Sequence, residues 1–133
     1  MDNEKIAKEL IKLAKKLSNR WHELNDLATM LAVARKLNYK IHQHPMKSTV
    51  GDTWTLESKR DLLELDIIFG DNGVWVSTFL LDDVGQDLIV SSEKVKNVDD
   101  INDLIELAKK VIKEANKSNF KQHLLIEKGL NDF

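Results

Sequence analysis

The chain has 133 residues, 42% of them apolar and 32% charged, and a net charge of −2; these values fit a single α+β domain over residues 1–133 and exclude a disordered or fibrous chain. It has no cysteine, which excludes disulfides, thiolate metal sites and a cysteine nucleophile and fits a reducing, cytoplasmic setting. No apolar run approaches the ~18 residues of a membrane span, and the charged start Met1-Asp2-Asn3-Glu4-Lys5 does not read as a signal peptide.

The charge is unevenly spread. Residues 1–40 hold nine basic and five acidic side chains, residues 41–103 five and thirteen, and residues 104–133 six and four. Basic ends around an acidic middle do not make the overall basic footprint of a nucleic-acid-binding domain. Lysine outnumbers arginine 17 to 3, a bias that suggests an AT-rich genome, such as that of a low-GC bacterium or its phage, and says nothing of activity.

In chain order, Ile6, Leu10, Leu13, Ala14 and Leu17 recur at helical spacing, and Trp21, Leu24, Leu27, Ala28 and Leu31 continue the stripe to about Leu37. An unbroken helix of that length would be about 50 Å long, more than the roughly 30–35 Å breadth of a domain this size. A break is therefore expected, at Ser18-Asn19 or Asn25-Asp26. Tyr39–His44 alternates as a strand that Pro45, the only proline, should end. Met46–Asp52 then reads as a loop, Thr53–Glu57 as a strand and Ser58-Lys59-Arg60 as a turn.

The strongest local signal is the hairpin Leu62–Phe69/Val74–Leu81 across Gly70-Asp71-Asn72-Gly73. Asn-Gly between β-rich runs favours a type I′ turn, and a four-residue loop would preserve the same face assignment. Leu63, Leu65, Ile67 and Phe69 then share a core face with Val76, Thr78 and Leu80. A further strand is expected at Asp87–Ser91. Asn97–Asp100 caps a helix with the apolar face Ile101, Leu104, Ile105, Ala108, Val111, Ile112 and Ala115, and its acids and lysines are placed as the helix dipole favours. Phe120–Lys128 reads as a last short helix closed by Gly129. The expected fold is an antiparallel four- to five-stranded meander around hairpin 62–81, flanked by an N-terminal helical segment and C-terminal helices.

Candidate chemistry is sparse. His42 and His44 are two apart on an expected strand, so both rings could face one metal, with Asp52 or Asp61 as a third ligand; two histidines alone are half a zinc site, and a polar strand edge is the plainer account. Glu64 and Asp66 could act as an acid–base or magnesium pair, but acids also fill a strand's exposed face. The five glycines form neither a phosphate-binding loop nor a dinucleotide fingerprint, and the Gly-x-Ser-x-Gly and His-Glu-x-x-His motifs are absent. Lys5, Lys8, Lys12, Lys15 and Lys16 form a basic side on the first helix that could track phosphates, although the interspersed Glu4, Glu9 and Glu23 also describe a solvated amphipathic helix.

The reverse face of the hairpin is the more informative feature. It carries Ile68, Trp75, Phe79 and Leu81 among Glu64, Asp66 and Ser77, where a one-sided sheet should be polar. Either a helix of the same chain covers this patch or it is an interface, because aromatic groups dominate binding hot spots. These observations rank a non-enzymatic protein-binding module (an inhibitor, adaptor or assembly factor, with a phage or mobile-element accessory protein as a fitting setting) ahead of an enzyme. A nucleic-acid-associated protein using the first helix and a metal-assisted hydrolase around His42/His44 follow. No cofactor and no membrane association is expected, and the partner is another protein or a second copy of this chain.

Overall fold

The computed structural model describes residues 3–11, 24–48, 51–81 and 88–127, with side chains described for all of these except 43–48. Its elements are α1 (residues 3–11), α2 (Leu27–Leu37), β1 (Lys40–Ser48), β2 (Gly51–Ser58), β3 (Leu63–Gly70), β4 (Gly73–Leu80), β5 (Ser91–Val95), α3 (Ile101–Asn116) and α4 (Asn119–Glu127). The strands form one antiparallel meander in the order β1-β2-β3-β4-β5, giving the expected α+β architecture. No helix among the described residues is long and apolar enough to cross a membrane.

One sheet face builds the core. Trp54 and Leu56 of β2 stand opposite Ile67 and Leu65 of β3, which stand opposite Val76 and Thr78 of β4. All six are buried. Met30, Val33, Ala34 and Leu37 of α2 and Leu104, Ile105, Leu107, Ala108 and Val111 of α3 join them in one apolar cluster. Thus the face assigned from the β3 and β4 alternation, and the stripe assigned to α3, are those the fold uses. Asp100 caps α3, accepting the Asp103 N–H at 2.9 Å, and Asp26 caps α2, accepting the Thr29 N–H at 2.7 Å. A smaller cluster of Leu80, Leu124 and Leu125 fastens α4, with Leu62 and Val90 packed against it.

The helix break falls at Asn25-Asp26, one of the two expected sites, and Asn25 supplies its cause. The Asn25 side chain accepts the Trp54 indole N–H at 2.6 Å and donates to Asp52 Oδ2 at 2.7 Å, so it ties the break to β2. The alternative site, Ser18-Asn19, lies outside the described residues, as do Leu13, Ala14, Leu17 and Trp21 of the expected stripe. Past the break the stripe does not continue as expected. Leu27 and Leu31 are exposed, and the buried face of α2 is Met30-Val33-Ala34-Leu37, because a new cap restarts the helix in a new phase. Ile6 and Leu10 are also exposed on α1.

Three strand expectations need correction. Pro45 does not end β1, which runs on to Ser48, and the expected loop Met46–Asp52 is instead the end of β1 and the start of β2. β1 is an edge strand, and its register shifts between Gln43 and Met46; edges and bulges are where a residue without an N–H is tolerated. The β3–β4 turn is not type I′ at Asn72-Gly73. Gly70 pairs with Gly73, leaving Asp71-Asn72 at the centre, and positive φ falls on Gly73 (137°) alone. A Cβ at Gly73 would run into the Val95 carbonyl, so close approach of β5 also requires glycine there.

The last strand is Ser91–Val95, not Asp87–Ser91. Leu88 and Ile89 are exposed and precede it, and Val90 N–H donates to the Thr78 carbonyl at 2.8 Å. Polar bonds set this register. Ser91 Oγ lies 2.6 Å from Thr78 Oγ1 and donates to the Val111 carbonyl at 2.7 Å, pinning the strand to both β4 and α3.

Candidate functional site

The reverse face of the sheet gathers most of the residues singled out from the sequence. Pairing across the strands sets them in rows. Thr53, Ile68, Trp75 and Lys94 form one, Thr55, Asp66, Ser77 and Ser92 the next, and Glu57, Glu64 and Phe79 a third. The described helices α2 and α3 pack on the opposite face, where the core cluster lies.

Exposure sorts these residues. Trp75 is 42% exposed, Ile68, Phe79, Glu64 and Asp66 are half-buried, and Leu81 is 9% exposed. Leu81 therefore does not belong to an open patch. It lies just past the end of β4 and donates its N–H to the Leu62 carbonyl at 3.0 Å. Trp75 is held in place: its indole N–H donates to Ser92 Oγ at 2.6 Å, Ser92 Oγ lies 3.0 Å from Ser77 Oγ, and the Lys94 ammonium sits 5.8 Å from the ring centroid. An indole whose N–H is bonded by one residue of β5, and whose ring carries the ammonium of another, loses less entropy on binding than a free one. Beside it, Ile68, Trp75, Lys94 and the turn residues 70–73 line a shallow hollow of about 240 Å³.

Asp66 is the least comfortable charge on this face. Burial raises its carboxyl above the usual range, only partly offset by a hydrogen bond from Thr55, and Oδ1 is buried without a partner. Glu64 and Asp66 lie on the same face of β3, in neighbouring rows, as the strand alternation places them.

Of the histidine pair only the His42 side chain lies within the described residues. The register of β1 against β2 shifts between Ile41 and Gln43 and again between Gln43 and Met46. His42 Nδ1 lies 3.0 Å from Glu57 Oε2, while the His44 side chain lies outside the described residues. Asp52 is bonded to Asn25 and Asp61 to Tyr39. Among the described residues no group of three or more metal-ligating side chains comes together. Lys5 and Lys8 lie on the exposed α1; Lys12, Lys15 and Lys16 lie outside the described residues.

A second cluster, not found from the sequence, sits where the end of α2, the β2–β3 turn and the last turns of α3 converge. Tyr39 Oη donates to Asp61 Oδ2 at 2.8 Å. Burial, then this bond and the charge of Asp61, hold the phenol far above its usual range. Burial alone would raise the Asp61 carboxyl, but the hydrogen bonds from Tyr39 and Arg60 and the charges of Arg60 and Lys121 outweigh it and hold it low. Lys121 is 6% exposed, and its ammonium donates to the Asp61 carbonyl and to Asn116 Oδ1, both at 2.6 Å; burial lowers its pKa and Asp61 partly restores it. These groups are separated by up to 82 positions in the chain, so no local pattern could have joined them. The positive φ of Leu62 (55°) shows the same turn held against its intrinsic preference.

No protein-family model matches this chain, and neither the curated proteins nor the solved structures contain a significant match.

Proposed function

We propose that the protein is a non-enzymatic protein-binding module that uses the reverse face of its sheet, with Trp75 as the anchor. The supporting observation is the exposure of Trp75 combined with its fixation by Ser92 and Lys94. Large aromatic side chains held in one conformation are the residues most enriched at binding hot spots. The half-buried Ile68 and Phe79 extend the apolar contact on either side of the central polar row.

The partner is a protein surface that offers an apolar side chain ringed by basic groups. Asp71 lines the hollow together with Lys94, and Asp66 and Glu64 follow in the next two rows of the face; acidic groups so placed would steer and orient a basic partner.

The test is affinity purification with the intact chain from its native cell, followed by reconstitution with the purified partner. Trp75→Ala should stay folded, since the side chain lies outside the core, and should weaken the complex by tenfold or more, the scale of a hot-spot residue. Glu64→Lys should slow association and flatten its salt dependence. A partner that binds Trp75→Ala as tightly as the intact chain would refute this assignment.

A further inference from the structure

The cluster around Tyr39 and Asp61 forms the wall of an open cleft of about 350 Å³. Five cationic side chains line it: Lys36 from α2, Arg60 from the β2–β3 turn, and Lys109, Lys113 and Lys117 from α3. Against them stands one carboxylate, Asp61, which already accepts bonds from Tyr39 and Arg60. The acids of α3, Asp103, Glu106 and Glu114, are not part of the lining. Among the described residues the four lysines make no ion pair, whereas the neighbouring Lys110 is engaged by Glu93 at 2.9 Å.

We infer that this cleft binds a short oligophosphate, with the four unpaired lysines and Arg60 neutralising a chain of two or three phosphate groups. Helix dipoles alone do not account for the arrangement. They favour cations in the last turn, which covers Lys36, Lys113 and Lys117, but Lys109 lies in the middle of α3 and Arg60 lies in a turn. Lys109, Lys113 and Lys117 follow at intervals of four, about 6 Å apart along the helix axis, so successive ammonium groups can flank one short chain. Lys36 and Arg60 approach from the other elements.

Charge and size select the ligand. Five cations less one carboxylate leave an excess of four positive charges, more than one phosphate of charge about −1.5 to −2 would balance. The volume is at the low end of small-ligand sites, commonly about 300–1,000 Å³. The aromatic side chain in the lining, Tyr39, is 5% exposed, so it offers little of the stacking platform that single-stranded nucleic acid uses. Asn116 gives its carbonyl oxygen to Lys121, which leaves its amide N–H groups as further anion donors.

Isothermal titration of the full chain with sodium tripolyphosphate at low ionic strength tests this. Saturable one-to-one binding is expected, at least about tenfold tighter than to orthophosphate and weakening as salt rises. Lys109→Gln/Lys113→Gln and, separately, Arg60→Gln should each reduce the affinity by about tenfold or more, with unchanged circular dichroism, because charge-assisted contacts are lost from exposed side chains. Lys96→Gln, an exposed lysine outside the cleft lining, should leave it unchanged. Titration with ATP separates the two sources of the same chemistry. Affinity for ATP equal to or weaker than that for tripolyphosphate identifies the phosphate chain itself and supports the assignment, whereas much tighter binding of ATP would show that the base is recognised and overturn it. Absence of saturable binding, affinity indifferent to the cleft variants, or an oligonucleotide that displaces tripolyphosphate at equal phosphate concentration would overturn it.

Discussion

The Tyr39 hydroxyl donates a 2.8 Å hydrogen bond to Asp61 Oδ2, joining the end of α2 to the β2–β3 turn. The same turn is held by Asp61 N–H donating to Ser58 Oγ at 3.1 Å and by Lys121 from α4. One phenol thus sits at the junction of three elements that share no local sequence.

Removing that hydroxyl in Tyr39→Phe should cost about 1–3 kcal/mol, because a half-buried carboxylate loses a donor. The pH dependence should change with it. Asp61 is held below its usual pKa in the fold, so its stabilising contribution is present above the unfolded value near 3.9 and is lost as pH falls through the lower folded value. In Tyr39→Phe that acid-labile part shrinks. Urea unfolding at pH 7 and near pH 3 measures both, and a difference between variant and parent that is the same at the two pH values would refute the coupling.

Asp66 carries the opposite sign. Its folded pKa is raised by burial, so its contribution to stability is most favourable below the unfolded value and is lost as pH rises through the folded one. Asp66→Asn should therefore stabilise the protein at pH 7, by up to about 1 kcal/mol. The gain should vanish below about pH 4, where the parent's carboxyl is protonated in both states. Thermal melts across that range follow the crossover.

Asn25→Ala should leave the Trp54 indole N–H without its acceptor and free Asp52 from its amide. A loss of about 1–3 kcal/mol is expected, seen as a drop in Tm of several degrees. Trp54 is 2% exposed, and a red shift of tryptophan emission before global unfolding would report water reaching it. A variant with the parent's Tm would remove Asn25 as the anchor of the break.

Gly73→Ala combines a φ of 137° with a collision against the Val95 carbonyl. The strain should exceed about 1 kcal/mol and fall on the β4–β5 contact. Hydrogen exchange should then accelerate first at the amides of β5, and uniform acceleration across the sheet would contradict that localisation.

Periodicity was sufficient wherever a residue's partner is set by its own element. The alternation of Leu63, Leu65, Ile67 and Phe69, and the stripe Leu104-Ile105-Ala108-Val111 behind the cap Asp100, dictate which face is buried because every second or every third to fourth side chain must leave water together. A break was legible from length alone, because the helix would outrun the domain, but with Ser18-Asn19 and Asn25-Asp26 both open as its site; the Asp26 cap of α2 is what the structure adds. The register of β5 was not, since it depends on Ser91 meeting Thr78 and Val111, nor was the passage of β1 through Pro45, which depends on its place at the sheet edge. The reverse-face patch was legible as a list of residues, but only packing showed that Leu81 is buried and Trp75 exposed. The cleft was invisible in the chain. Lys36, Arg60 and Lys109 are ordinary surface residues in sequence, and they become one charged site only because long-range packing sets α2, the β2–β3 turn and α3 side by side.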